Sequence, residues 1–181
     1  MDIREPDARH HLLSAIRAAM DNVREHKAQP FGAVITRGDE VIATAVNEVE
    51  ALCDPSAHAE MQAVRAAAKA LGSTDLSGCT VYASGYPCPM CLTAMYLSGV
   101  EQVYYAYSSE DGAPYGLSAE SGYSEIARPV EERHMKLARA ARARWGRRGS
   151  IRSLATHGVA RLIRRPQAPA ARRAARRLPA A

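Results

Sequence analysis

Apolar residues recur at spacings of three and four along residues 7–26, DARHHLLSAIRAAMDNVREH, where Leu12, Leu13, Ile16, Met20 and Val23 form one stripe. That period predicts an amphipathic helix, with Asp7 placed to cap its first amides. The pattern then changes to β-branched runs. FGAVITR and VIATAVN, within residues 31–47, flank a Gly-Asp turn and predict a hairpin. Residues 55–72, PSAHAEMQAVRAAAKALG, predict an alanine-rich helix with Ser56 as its cap and Gly72 as its stop. CTVYAS (79–84) and QVYYAYS (102–108) read as strands. Between them, PMCLTAMYLSG (89–99) reads as a short helix opened by Pro89 and closed by Gly99. A last short helix is predicted over 116–127.

This order implies a layered α/β sandwich around a mixed sheet, with both strand–helix–strand connections carrying parallel pairs. No internal repeat is visible. The texture changes after Pro129, which predicts a folded domain over 1–128 and an Arg/Ala-rich tail over 129–181. Residues 137–181 hold no acid and no lysine, and Ile151, Leu154, Val159, Leu162 and Ile163 are loosely periodic. Three readings compete for this tail: a solvated disordered segment, a basic arm attracted to RNA or membrane, and an out-of-frame stretch of a GC-rich gene.

Charge sharpens that division. Residues 1–127 carry 8 Lys and Arg against 17 Asp and Glu, whereas residues 128–181 carry 16 against 2. The part expected to fold is acidic, so nucleic-acid binding is expected only through the tail. No run approaches the ~20 apolar residues of a membrane span. The start, MDIREPDARHHLL, lacks the basic-then-apolar order of a secretory signal. A soluble, cytoplasmic protein is expected. Four cysteines are too few for a disulfide scaffold of this length, and the close pair Cys88 and Cys91 suits a metal better.

The chemistry concentrates in HAE (58–60) and PCPMC (87–91). A reactive zinc takes three protein ligands and leaves a fourth position open. His58, Cys88 and Cys91 supply three nitrogen and sulfur donors near the starts of two helices, where the peptide dipoles favour thiolate. Glu60, two residues after His58, points elsewhere and is placed to move a proton rather than to bind metal. A structural zinc is the alternative, and Cys79 or Cys53 would then complete it. The joint pattern favours the reactive site.

H-x-E followed by P-C-x-x-C resembles the signature of the zinc-dependent nucleobase deaminases. PFGAVI (30–35), DPSAHAE (54–60) and PCPMCLTAMY (87–96) resemble the bacterial guanine deaminase branch of the cytidine deaminase superfamily, over roughly residues 8–127. The resemblance implies a three-layer α/β/α sandwich, a homodimer and Zn2+ on His58, Cys88 and Cys91, with Glu60 as the catalytic proton shuttle. It also implies a substrate held by the Asn47 side chain, the Phe31 ring and the Ala59 amide. For an acid after the last strand, Asp111 and Glu120 are the candidates.

Two features depart from that pattern. Tyr86 stands where the branch carries glutamate, and the Arg/Ala tail replaces a pocket-closing segment. Tyr104, Tyr105 and Tyr107 alternate along a strand and read as packing. The implied reaction is hydrolysis of a small nucleobase, guanine to xanthine and ammonia first. The alternatives are a tRNA adenosine deaminase and a non-catalytic, zinc-stabilised nucleic-acid-binding relative.

Overall fold

The structure, a computed structural model, describes residues 6–138. The basic-helix, lid and RNA-arm readings of the Arg/Ala tail fall almost wholly on residues outside that range. Among the described residues no helix is long and apolar enough to cross a membrane.

Helix α1 (Pro6–His26) begins one residue earlier than its expected cap, so Asp7 lies within the first turn. The hairpin forms as β1 (Gly32–Arg37) and β2 (Glu40–Val46), with Gly38 at φ 57° in the turn. A short helix α2 (Val49–Leu52) precedes α3 (Ala59–Leu71). Strand β3 (Cys79–Gly85), helix α4 (Pro89–Leu97) and strand β4 (Gln102–Tyr107) follow. After β4 come α5 (Ser109–Gly112), a 3-10 turn at Ala113–Tyr115, and α6 (Glu120–Ala127).

The sheet order is β2-β1-β3-β4. Strand β1 runs antiparallel to both β2 and β3, and only β3 and β4 pair in parallel. This corrects the expectation of two parallel pairs. The α3 crossover does bring β3 back parallel to β2, but β1 lies between them and takes the hydrogen bonds of both.

Alternation along the strands sorts side chains into two layers. Val34 and Tyr82 face α1 and pack with Ala8, Leu12 and Ala15, with Tyr104 stacked on Tyr82 at 5.4 Å. Ile35 and Val81 face α3 and α4, and pack with Ala63, Ala67 and Met95. The result is the expected α/β/α sandwich. Burying a side chain the size of Met95 is worth roughly 1.5–3 kcal/mol, which holds α4 to the sheet.

The α1 stripe differs from the periodic one. Its buried face is Ala8, Leu12, Ala15, Ala19 and Asn22, while Leu13, Met20 and Val23 are exposed. Close approach explains the choice of small residues. A Cβ added at Gly32 would stand 2.3 Å from the Ala15 carbonyl oxygen, so helix and strand meet backbone to backbone.

The compact unit closes at Lys136. Arg133 donates to the carbonyls of Arg128 and Ile126 at 3.0 and 2.7 Å, and His134 Nδ1 lies 2.9 Å from Glu125 Oε2.

Candidate metal centre

One end of the sheet gathers every group of interest. Strands β3 and β4 finish there, β2 ends there at Val46, and β1 begins there beside Phe31. The carboxyl ends of parallel strands, with helices starting beyond them, commonly hold the sites of α/β folds.

His58 is the N-cap of α3 and Cys88 the N-cap of α4, both with extended backbone. This corrects Ser56 as the cap. The Ser56 amide and hydroxyl both donate to Asp54 Oδ1, at 2.8 and 2.7 Å. That turn delays the helix until Ala59. Neither N-cap makes a side-chain capping bond. Each side chain turns instead toward the other helix, giving up a contact worth typically about 1 kcal/mol.

The three donors form a tight triangle. Cys88 Sγ lies 3.4 Å from Cys91 Sγ and 3.5 Å from His58 Nδ1, and Cys91 Sγ lies 3.7 Å from His58 Nδ1. Zinc bonds of about 2.3 Å to sulfur and about 2.0–2.1 Å to nitrogen at tetrahedral angles require donor separations of about 3.5–3.8 Å. Both sulfur–nitrogen separations meet that requirement, and the sulfur–sulfur separation lies just short of it. Among the described residues these three form a group with metal-ligating spacing. Neither Cys79, buried in the core at the start of β3, nor exposed Cys53 belongs to it.

Glu60 stands just outside the group. Its Oε2 lies 3.5 Å from Cys91 Sγ, and the residue is buried. Burial raises its carboxyl above the usual carboxylate range. Contact with Cys91, reinforced by His58, draws the Cys88 thiol down to about 4. Contact with Cys88 and burial push Cys91 up, and the contact with Cys88 raises His58. The centre thus has one ready thiolate and two donors that release protons as a metal binds.

Residues 6–107 match the cytidine and deoxycytidylate deaminase zinc-binding region. The chain belongs to that deaminase family. Within it, the chain is 42% identical over 122 residues to the guanine deaminase of Bacillus subtilis, covering 67% of this chain and 78% of that one. It is 44% identical over 77 residues to the tRNA-specific adenosine deaminase of Aquifex aeolicus, covering 42% of this chain and 51% of that one. The crystal structure of B. subtilis guanine deaminase superposes with a TM-score of 0.72 at 33% identity, covering 90% of this chain and 96% of that one. A zinc-binding aminohydrolase of the deaminase class is therefore established, and the donor triangle suits its metal.

Beside the deaminase triangle lies a pocket of about 170 Å³, bordered by His58, Glu60, Cys88, Phe31 and Tyr86. Gln29 and the stretch Gly116–Ala119 close it. Gln29 and that stretch are not among the residues expected from sequence; the signal they carry is Gly116 followed by Ser118 just before a helical run. Phe31 lies so close to the backbone of Gly85 that a Cβ there would stand 2.9 Å from its ring.

The remaining expected residues are placed less uniformly. Asn47 is buried and its Oδ1 accepts from the Val49 amide at 3.2 Å, while its Nδ2 has no partner among the described residues. Ala59 is the first residue of α3, where amides lack intrahelical acceptors. Asp111 and Glu120 are not among the residues bordering the pocket. Asp111 accepts from the amide and hydroxyl of Ser108, which holds its carboxyl below the usual range, and Glu120 accepts from Ser124. Tyr104 packs against Tyr82 as expected, whereas Tyr105 meets Tyr86 edge-on at 5.0 Å.

Proposed function

We propose that this deaminase hydrolyses guanine to xanthine and ammonia at the pocket beside His58, Cys88 and Cys91. A single observation carries the reading: a buried carboxylate, Glu60, stands beside the donor triangle without belonging to it. A structural zinc gains nothing from such a group.

When bound, zinc supplies a Lewis acid that lowers the pKa of water toward about 7. Glu60 Oε2 takes a proton from the attacking water, and its raised affinity for protons lets it hold that proton and pass it on. It delivers the proton to a ring nitrogen as the water oxygen bonds to carbon. A second transfer through Glu60 lets the amino group leave as ammonia, so atoms and protons balance across the cycle.

Phe31 offers its ring to one face of the base, held flat by its packing on Gly85. Asn47 Nδ2 is a buried donor with no partner among the described residues, as suits a ligand acceptor. The Ala59 amide, at a helix start, suits an oxygen of the substrate. A homodimer completes the proposal. Helix α4 leaves Tyr96 and Leu97 at 73% and 84% exposure, a pair that a second copy would cover.

The test is ammonia release by the zinc-loaded chain from guanine, cytosine, adenine, isoguanine and aminotriazines. Guanine is expected to give xanthine at the highest kcat/KM. Inertness toward every free base, with deamination of adenosine in tRNA, would reassign the chain.

A further inference from the structure

The pocket beside the metal donors is small for a ligand site, below the roughly 300–1,000 Å³ common for drug-sized molecules. It suits one small ring system. A second cavity of about 340 Å³ adjoins it. Phe31, Tyr86 and Leu117 border both spaces, so the two chambers meet along the same three side chains.

The larger chamber is mainly apolar and aromatic, with Tyr107, Tyr115 and Pro30 in its walls beside the polar residues Ser108 and Asp111. Its shape is set in advance. Tyr86 is braced by ring contacts to Tyr105 at 5.0 Å and to Tyr123 at 5.6 Å. Gly112 lets the turn after α5 close in, since a Cβ there would stand 3.1 Å from the Leu117 carbonyl oxygen. Asp111 and Ser108 satisfy one another. Ser109 borders the chamber too, but its Oγ is closed to solvent and so does not face the open space.

We propose that this cavity is a second chamber of the active site, which takes an apolar, aromatic substituent carried by the reacting heterocycle. The inference rests on the deaminase reading above and extends it from a free base to a substituted one. Aromatic walls bind a flat ring by offset or edge contacts, and they reward burial of an apolar group far more than of a sugar. Tyr86, at the border between the chambers, is then the residue that sets which substituents pass.

The experiment uses the zinc-loaded full chain with guanine, guanosine, and guanines bearing a benzyl group at N7, C8 or N9. Calorimetric binding and ammonia release are measured in parallel. At least one benzyl isomer is expected to bind about tenfold more tightly than guanine. Tyr115→Ala, which opens the outer wall, is expected to reduce that preference about tenfold relative to guanine. No benzyl isomer binding better than guanine, or guanosine binding best, would overturn the proposal. If no compound releases ammonia, the deaminase reading fails, while the binding preference and its loss in the variant still decide the chamber.

Discussion

The hydroxyl of Tyr123 donates to the carbonyl oxygen of Pro87 at 2.7 Å. Tyr123 sits on α6, and Pro87 immediately precedes Cys88, so a helix formed after the last strand holds the loop that presents a metal donor. A neighbouring contact reinforces it, because a Cβ at Gly122 would stand 3.3 Å from the Pro89 ring. Outer-shell partners of this kind typically tune metal affinity by 10–100-fold. Tyr123→Phe is expected to weaken zinc about tenfold in chelator competition and to lower kcat more than it raises KM. The melting temperature of the metal-free protein should change little. Unchanged zinc affinity would reduce Tyr123 to ordinary packing.

Glu60→Gln preserves the size and burial of the side chain but removes its ability to carry a proton. Zinc content is expected to stay near one per chain while kcat falls about 10²–10⁴-fold, the usual worth of a positioned acid–base group. Metal analysis of the same sample that is assayed separates lost chemistry from lost metal. A near-normal rate would remove Glu60 from the mechanism.

Zinc uptake should depend steeply on pH. In the metal-free protein the contact with Cys88 raises His58, and Cys91 is raised as well, so both hold protons that the metal must displace. Cys88, near 4, is already ionised at neutral pH. Raised values mean that acid competes with the metal, so affinity climbs with pH. Chelator titrations between about pH 6 and 8 are expected to show at least about a tenfold gain per unit, as proton release predicts. A flat profile would mean that the donors do not bind as imidazole and thiolates.

Gly32→Ala puts a methyl group where the Ala15 carbonyl already stands. Overpacking in an unyielding core costs typically 1–3 kcal/mol, and here both partners are backbone, so a loss of about 3 kcal/mol is expected in urea unfolding. Stability within 0.5 kcal/mol of the parent, on the ~1 kcal/mol scale of typical substitutions, would show that α1 can move away from β1 freely.

Leu97→Glu addresses the exposed end of α4. A charge placed in an apolar contact between copies is expected to shift the protein from dimer to monomer in light scattering, with zinc binding retained. Monomer for both parent and variant would leave the α4 patch without that role.

Much of this architecture was readable from local patterns. The hairpin announced itself through β-branched runs around Gly38 and Asp39, and α4 through Pro89 and Gly99. The donors could be paired because H-A-E and P-C-x-x-C each lie at a helix start, a local property. What failed depended on distant neighbours. Periodicity favoured the large residues of α1, yet Gly32 draws the helix in so closely that alanines face the sheet. Ser56 is a good cap by type, but Asp54 reaches it first. The strand order hinges on which neighbour takes β1's hydrogen bonds, and no short window of sequence carries that. The same is true of Gln29 and residues 116–119, which meet the metal donors only once the sheet is assembled.

The groups proposed to react all fall within residues 58–91, whereas a whole side of the small pocket, Gly116–Ala119, belongs to a segment that follows β4. Attack and appetite are thus written in different stretches of the gene. A lineage holding this scaffold could rewrite the later stretch and change its diet, while the machinery that breaks the carbon–nitrogen bond stays untouched.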